Sequence, residues 1–195
     1  MTGGLKMANS ASDALILQYY EDPDPRRAAF GHKIGREDWE SIAAVKDWYG
    51  DLLFTAPAVA ANVAHPLLKT ILSELEMPGR KFAFLCGHDS NIGSVLAALG
   101  VEPYSAPGAI ETKTPIGGKI IFQKFRGQDG RMYADIWLVY ATADQLRDMS
   151  ILSLQNPPMA IQLHLKGLTA NADGLYLFAD LQRRFGEAFN LYGTF

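Results

Sequence analysis

The chain has 195 residues, 48% of them apolar, with 18 Lys and Arg against 21 Asp and Glu and a formal net charge of −3. Such a composition describes a folded globular chain and excludes disorder as the main expectation. No concentrated basic surface is present for a nucleic-acid backbone, and no segment approaches the ~20 consecutive apolar residues of a membrane span, so neither is an expected partner.

The opening residues 1–10 (MTGGLKMANS) hold one lysine and no apolar run of signal-peptide length, and are read as no secretory signal. Cys86 is the single cysteine, which leaves no intrachain disulfide, and no Cys/His spacing resembles a zinc site. Asn9, Ser10 or Ser12 is expected to cap a short apolar helix through Leu15 to Tyr20, which the prolines of residues 21–25 (EDPDP) end. A second helix after Gly35 should bury Trp39, Ile42, Ala43, Tyr49, Leu52 and Leu53. A third should begin at Pro57 with Val59, Val63, Leu67, Ile71 and Leu75 on its inner stripe and a bend at Pro66.

The character changes after Pro78 and Gly79, and the expected division is a helical part, 1–78, and a mixed part, 79–195. Residues 82–86 (FAFLC) form a continuous apolar run of strand length, expected to be covered on both faces, with Cys86 a small core residue. Gly87, His88, Asp89, Ser90 and Asn91 follow, and then a helix from Ile92 to Leu99. Residues 100–115 read as an extended loop. Residues 118–125 and 132–141 read as two strands joined by a turn at Gly127, Gln128, Asp129 and Gly130. Thr142 and Gln145 fit a capping box, residues 160–165 a strand, residues 171–174 (NADG) a turn, and a last helix starts near Phe178.

Position rather than composition singles out His88 and Asp89. A loop between a strand's carboxyl end and the next helix is where open α/β sheets collect ligands, because that helix presents unpaired amides and its positive dipole end to an anion. The plainer reading is structural, with Asp89, Ser90 or Asn91 capping the helix and His88 only hydrogen-bonded. His32, His65 and His164 read as surface or packing residues. Glu21 either caps a turn or reaches into a cleft. The run Thr114, Pro115, Ile116, Gly117 and Gly118 lacks the Walker lysine spacing, so a strand-entry turn is the simpler reading than a phosphate cradle.

Five motifs in order, Leu17-Gln18-Tyr19-Tyr20-Glu21, Gly87-His88-Asp89-Ser90-Asn91-Ile92, Thr114-Pro115-Ile116-Gly117-Gly118-Lys119, Gln145-Leu146-Arg147 and Asp173-Gly174, resemble the C-terminal half of a histidine acid phosphatase. The branch resembled is that of the bacterial phytases and glucose-1-phosphatases, nearer to the latter. The resemblance implies an α/β fold: part of a three-layer, phosphoglycerate-mutase-like sheet with helices and part of a helical cap, without the N-terminal half and its central strand. It implies metal-free and cofactor-free hydrolysis of a phosphorylated small molecule, a sugar phosphate, in the periplasm. His88 would then hold the phosphoryl group, Asp89 would protonate the leaving oxygen, and Glu21 and Asn91 would line the substrate's approach.

The chain departs from that pattern in two places. It contains no Arg-His-Gly, the motif of the nucleophilic histidine, so by this reading the 195 residues are inactive alone and need the missing half, or a second copy swapped or paired through the sheet edge. Leu168 and Tyr176 stand where close relatives have a cysteine pair, which weakens the case for an oxidising compartment. A catalytically inactive binding or scaffold domain, assembling through an exposed strand edge, is the alternative.

Overall fold

The structure is a computed structural model that describes residues 3–194. In chain order its elements are α1 (Gly4–Glu21), α2 (Pro25–Ala28), α3 (Arg36–Gly50), a π-helical turn (Asp51–Thr55), α4 (Pro57–Glu76), α5 (Asp89–Ala98), β1 (Lys119–Arg126), β2 (Met132–Tyr140), α6 (Ala143–Arg147), β3 (Met159–Gln162), β4 (Tyr176–Leu177) and α7 (Phe178–Asn190). The chain is α/β, with helices and an antiparallel sheet. It gathers into two discontinuous units, a different division from the composition change at residue 78. One comprises the chain up to Leu52 with Tyr104–Gly118 and Val139–Met159, the other Leu53–Pro103, Lys119–Leu138 and the chain from Ala160 onward.

In the first unit α1 packs on α3, and Ile16, Tyr19, Ala28, Ala29, Trp39, Ala43, Ile110 and Ala143 form a buried cluster. α1 begins earlier than expected, at Gly4; Met1 and Thr2 of the opening stretch lie outside the described residues. Ser12 is therefore no cap but a buried mid-helix residue, whose hydroxyl donates to the Ile42 carbonyl at 2.6 Å and ties the two helices together. Asp38, at the third position of α3, accepts the Gly35 amide at 2.8 Å and satisfies one of the donors every helix start leaves open. Only Trp39 and Ala43 of the expected α3 stripe are fully buried, and Leu52, in the π-helical turn, is exposed. The Thr142 capping box closes as read: its Oγ1 accepts the Gln145 amide at 3.2 Å, and the Gln145 side chain accepts the Thr142 amide at 3.0 Å. Arg147 then lies over the Tyr19 ring, 4.2 Å from its centroid, and donates to the carbonyls of Tyr19 and Pro23.

In the second unit α4 and α5 pack together through small side chains. Ala60, Ala61, Ala64 and Leu68 are the buried residues of α4, whereas Val59 and Val63 of the expected stripe are exposed. Alanines permit close helix approach, so this face, one position away, wins over the larger valines. α4 continues through Pro66, which has no amide to donate. β1 and β2 form the expected hairpin. Gly127 is required there, because a β-carbon would sit 2.7 Å from the Tyr133 ring, and Gly130 adopts φ 80°. β2 lies between β1 and β3 and also pairs antiparallel with β4, Tyr133 opposite Leu177 and Ala134 opposite Tyr176. The strand expected over residues 160–165 is shorter, ending at Gln162, after which Leu165 bridges Val101. Tyr176, one of the two residues read as standing in place of a cysteine pair, is buried, and its hydroxyl accepts the Leu165 amide at 2.9 Å. Phe178, Leu181, Phe185 and Ala188 form the buried face of α7 at helical spacing.

The expected strand over residues 82–86 is not formed. The run joins no sheet among the described residues, and all five side chains are exposed, Phe82 to 78% and Phe84 to 68%. Cys86 is likewise exposed and not a core residue. An apolar run becomes a buried strand only when neighbouring strands supply ladder partners and helices cover its faces, and among the described residues this run has neither.

Candidate active site

His88 is the residue preceding α5 and has extended backbone, φ −122° and ψ 171°; Asp89 is the first residue of the helix. Both are exposed, at the junction between the exposed run and α5. Asn91 is half-buried and its Oδ1 accepts the His88 amide at 2.9 Å. Asp89 Oδ1 accepts the Ser90 amide at 2.7 Å. The amides of Asn91 and Ile92 both donate to the His88 carbonyl, at 3.0 and 3.2 Å.

These bonds correct one expectation. The start of α5 does not offer a row of unpaired amides to an anion, because those of His88, Ser90, Asn91 and Ile92 are engaged within the turn itself. What this helix end contributes is its dipole and a rigid base for two side chains, the His88 imidazole and the Asp89 carboxyl. Gly87 is closely fitted here, since a β-carbon would meet Asn91 Oδ1 at 3.0 Å. The helix-capping reading is met by Asn91, and His88 is exposed.

The remaining expected residues lie elsewhere. Glu21 is the exposed last residue of α1, in the other unit. His32 and His164 are exposed, whereas His65 stacks on Tyr192 with ring centroids 3.9 Å apart. The Thr114–Gly118 segment makes a turn, with the Gly118 amide donating to the Pro115 carbonyl at 2.9 Å just before β1, as a strand-entry turn should. A shallow depression lined by Lys69, Leu72, Ser73, Glu76, Met77, Pro78 and Phe189 includes neither His88 nor Asp89. Among the described residues no group of three or more His, Cys, Asp or Glu side chains is arranged to hold a metal ion, and no helix is long and apolar enough to cross a membrane.

A carboxyl group that the sequence did not single out is the least exposed among the described residues. Glu111, in the loop before β1, is 1% exposed, and its Oε2 accepts the Tyr20 hydroxyl at 2.5 Å. Burial raises its pKa above the ordinary glutamate value, against the Tyr20 hydrogen bond. Nothing in Ala109-Ile110-Glu111 announces this, because a loop carboxylate is exposed by default.

No protein-family model matches the chain. Its fold does match solved structures: the phytase from Citrobacter braakii superposes with a TM-score of 0.85 at 26% identity, over 98% of this chain and 51% of that one. Fold and sequence together make this chain a relative of the histidine acid phosphatases. Within that class the similarity is to the glucose-1-phosphatase of Providencia rettgeri, 40% identical over 193 residues, which are 96% of this chain and 46% of the relative. The phytase AppA of Escherichia coli is 29% identical over 202 residues, again 46% of its length. The chain spans about half the length of the curated relatives it matches.

Proposed function

We propose that this chain supplies the phosphate-binding and proton-donating half of a histidine acid phosphatase that hydrolyses a sugar phosphate in the periplasm. The observation that carries the reading is the placement of His88 and Asp89, adjacent and exposed at the positive end of α5, in a chain 40% identical to a glucose-1-phosphatase. A cationic imidazole beside the transferring phosphoryl group stabilises charge spread over its equatorial oxygens. A carboxylic acid one residue on gives its proton to the leaving oxygen, which would otherwise depart as an alkoxide. Asn91 holds the loop in register for both.

The nucleophilic histidine comes from a polypeptide carrying the Arg-His-Gly motif, which these 195 residues do not contain. The exposed run 82–86 supports that partnership, being a strand-length apolar segment that leads directly into His88 and is open for pairing. The isolated chain is inactive by this reading. Co-expression with the other half of a relative should give activity on glucose 1-phosphate and p-nitrophenyl phosphate, and Asp89→Ala should lower kcat roughly 10²-fold or more on a poor leaving group. An unchanged rate for that variant removes Asp89 from the role. The same exposed run also favours the rival reading, a scaffold domain that self-associates. A chain that oligomerises and gains no activity with the other half would favour the rival.

A further inference from the structure

Glu111 occupies a site that tolerates its acid form better than its anion. It belongs to the Tyr104–Gly118 segment of the first unit, next to Ile110, which is buried in the cluster with Ile16 and Trp39. Its Oε2 receives the Tyr20 hydroxyl at 2.5 Å, and its Oε1 is buried without a hydrogen-bond partner. An ionised carboxylate there would keep a full charge out of water, with the Tyr20 hydroxyl as its side-chain donor. The neutral acid leaves at most one weaker polar group unsatisfied.

The surrounding charges do not reverse this balance. From α3, the Lys46 ammonium favours ionisation, as do the amides of Glu111 and Ile116, yet burial outweighs all of them. Lys46 also lies 3.7 Å from Asp13 of α1. Arg36 of α3 is bound to Glu40 and to the Ala109 carbonyl, and Asp47 accepts from the Thr112 amide and hydroxyl. Lys113 pairs with Asp51 at 2.5 Å. Arg147 and Asp144 of α6 act on Tyr19, the neighbour of Tyr20 in α1, with Arg147 over the Tyr19 ring. The loop is thus strapped to α3 at Ala109 and Thr112, to the π-helical turn at Lys113, and to α1 by one buried acid.

We propose that Glu111 and Tyr20 form a pH-operated latch, closed on α1 while the carboxyl is neutral and loosened when it ionises. The inference does not rest on the phosphatase reading. A group whose folded pKa is raised stabilises the closed state fully below its ordinary value, here 4.5, and loses that contribution as pH rises through the raised one. The closed-to-open ratio therefore falls by up to about tenfold for each pH unit between the two. The exchange of residues 104–118 is what should respond.

Hydrogen–deuterium exchange of the full chain from about pH 4.5 to 8, corrected for intrinsic rates, reads this directly. Wild type should lose protection over residues 104–118 as pH rises, with α4 unchanged, and Glu111→Gln should show no such slope. A wild-type loop whose corrected protection is flat, or a Glu111→Gln slope equal to wild type, overturns the latch. Should Glu111→Gln fail to fold, ¹³C-carboxyl NMR of wild type decides. A Glu111 midpoint above 4.5, moved further up by Tyr20→Phe, supports the proposal, and a midpoint at or below 4.5 refutes it.

Discussion

Asn91 accepts the backbone N–H of His88 at 2.9 Å, so the first turn of α5 holds the residue that precedes it. A side-chain acceptor at a helix start is worth about 1 kcal/mol. Asn91→Ala should lower the stability of the chain by that amount in urea denaturation, and Asn91→Asp, which keeps an acceptor at the positive helix end, should lose less than half as much. Equal losses would show that packing, not the hydrogen bond, secures the loop.

Arg184 of α7 joins three parts of the second unit. Its guanidinium donates to the Leu99 carbonyl at 2.8 Å, to the Lys166 carbonyl at 2.6 Å and to Glu187 at 2.9 Å, with the side chain only 13% exposed. Arg184→Ala strands the carbonyl of Leu99, a fully buried residue, and should cost roughly 2 kcal/mol or more. Arg184→Lys, with one compact head group, reaches one carbonyl and should recover part of the loss. A chevron or urea series on both variants measures the difference.

Asp135 gives a second, separable pH dependence. It is buried in β2, with Oδ2 accepting the Trp137 indole N–H at 2.8 Å and Oδ1 without a partner. Burial raises its pKa from the ordinary 3.8, against the Trp137 hydrogen bond. Its contribution is therefore complete below 3.8 and is lost as pH rises through the raised value. Asp135→Asn retains the acceptor without the charge. Its Tm advantage over wild type should grow as pH increases from about 4 and then level off; a constant difference across pH would mean the carboxyl never ionises differently in the fold.

The exposed run should govern the chain's association. Phe82 and Phe84 are among the most exposed aromatic side chains, on a segment with no sheet partner among the described residues. Phe84→Lys places a charge on this edge, which disfavours strand pairing between copies. Sedimentation velocity should show a smaller weight-average mass for the variant than for wild type at equal concentration. Identical profiles would mean that self-association, if present, uses another surface.

The features legible in the sequence are those whose causes are local. The Gly127–Gly130 turn requires backbone conformations that glycine adopts, the Thr142 box closes over three residues, and α7 shows its helical stripe within one window. His88 and Asp89 were visible for the same reason, through their position just ahead of a helix start. Ser12 misled because a serine that caps and a serine that reaches across to another helix look alike until the other helix is placed.

Burial was decided only by tertiary structure, since it depends on what lies opposite. An apolar run such as residues 82–86 states that cover would be favourable, not that cover is present, and here it stays exposed. Glu111 states the reverse: a charged residue type in a loop enters the interior because Tyr20, 91 positions earlier, supplies a hydroxyl to receive it. Hydrogen bonds within a turn are encoded by neighbours in the chain, whereas desolvation is set by neighbours in space, and only the folded chain brings those together.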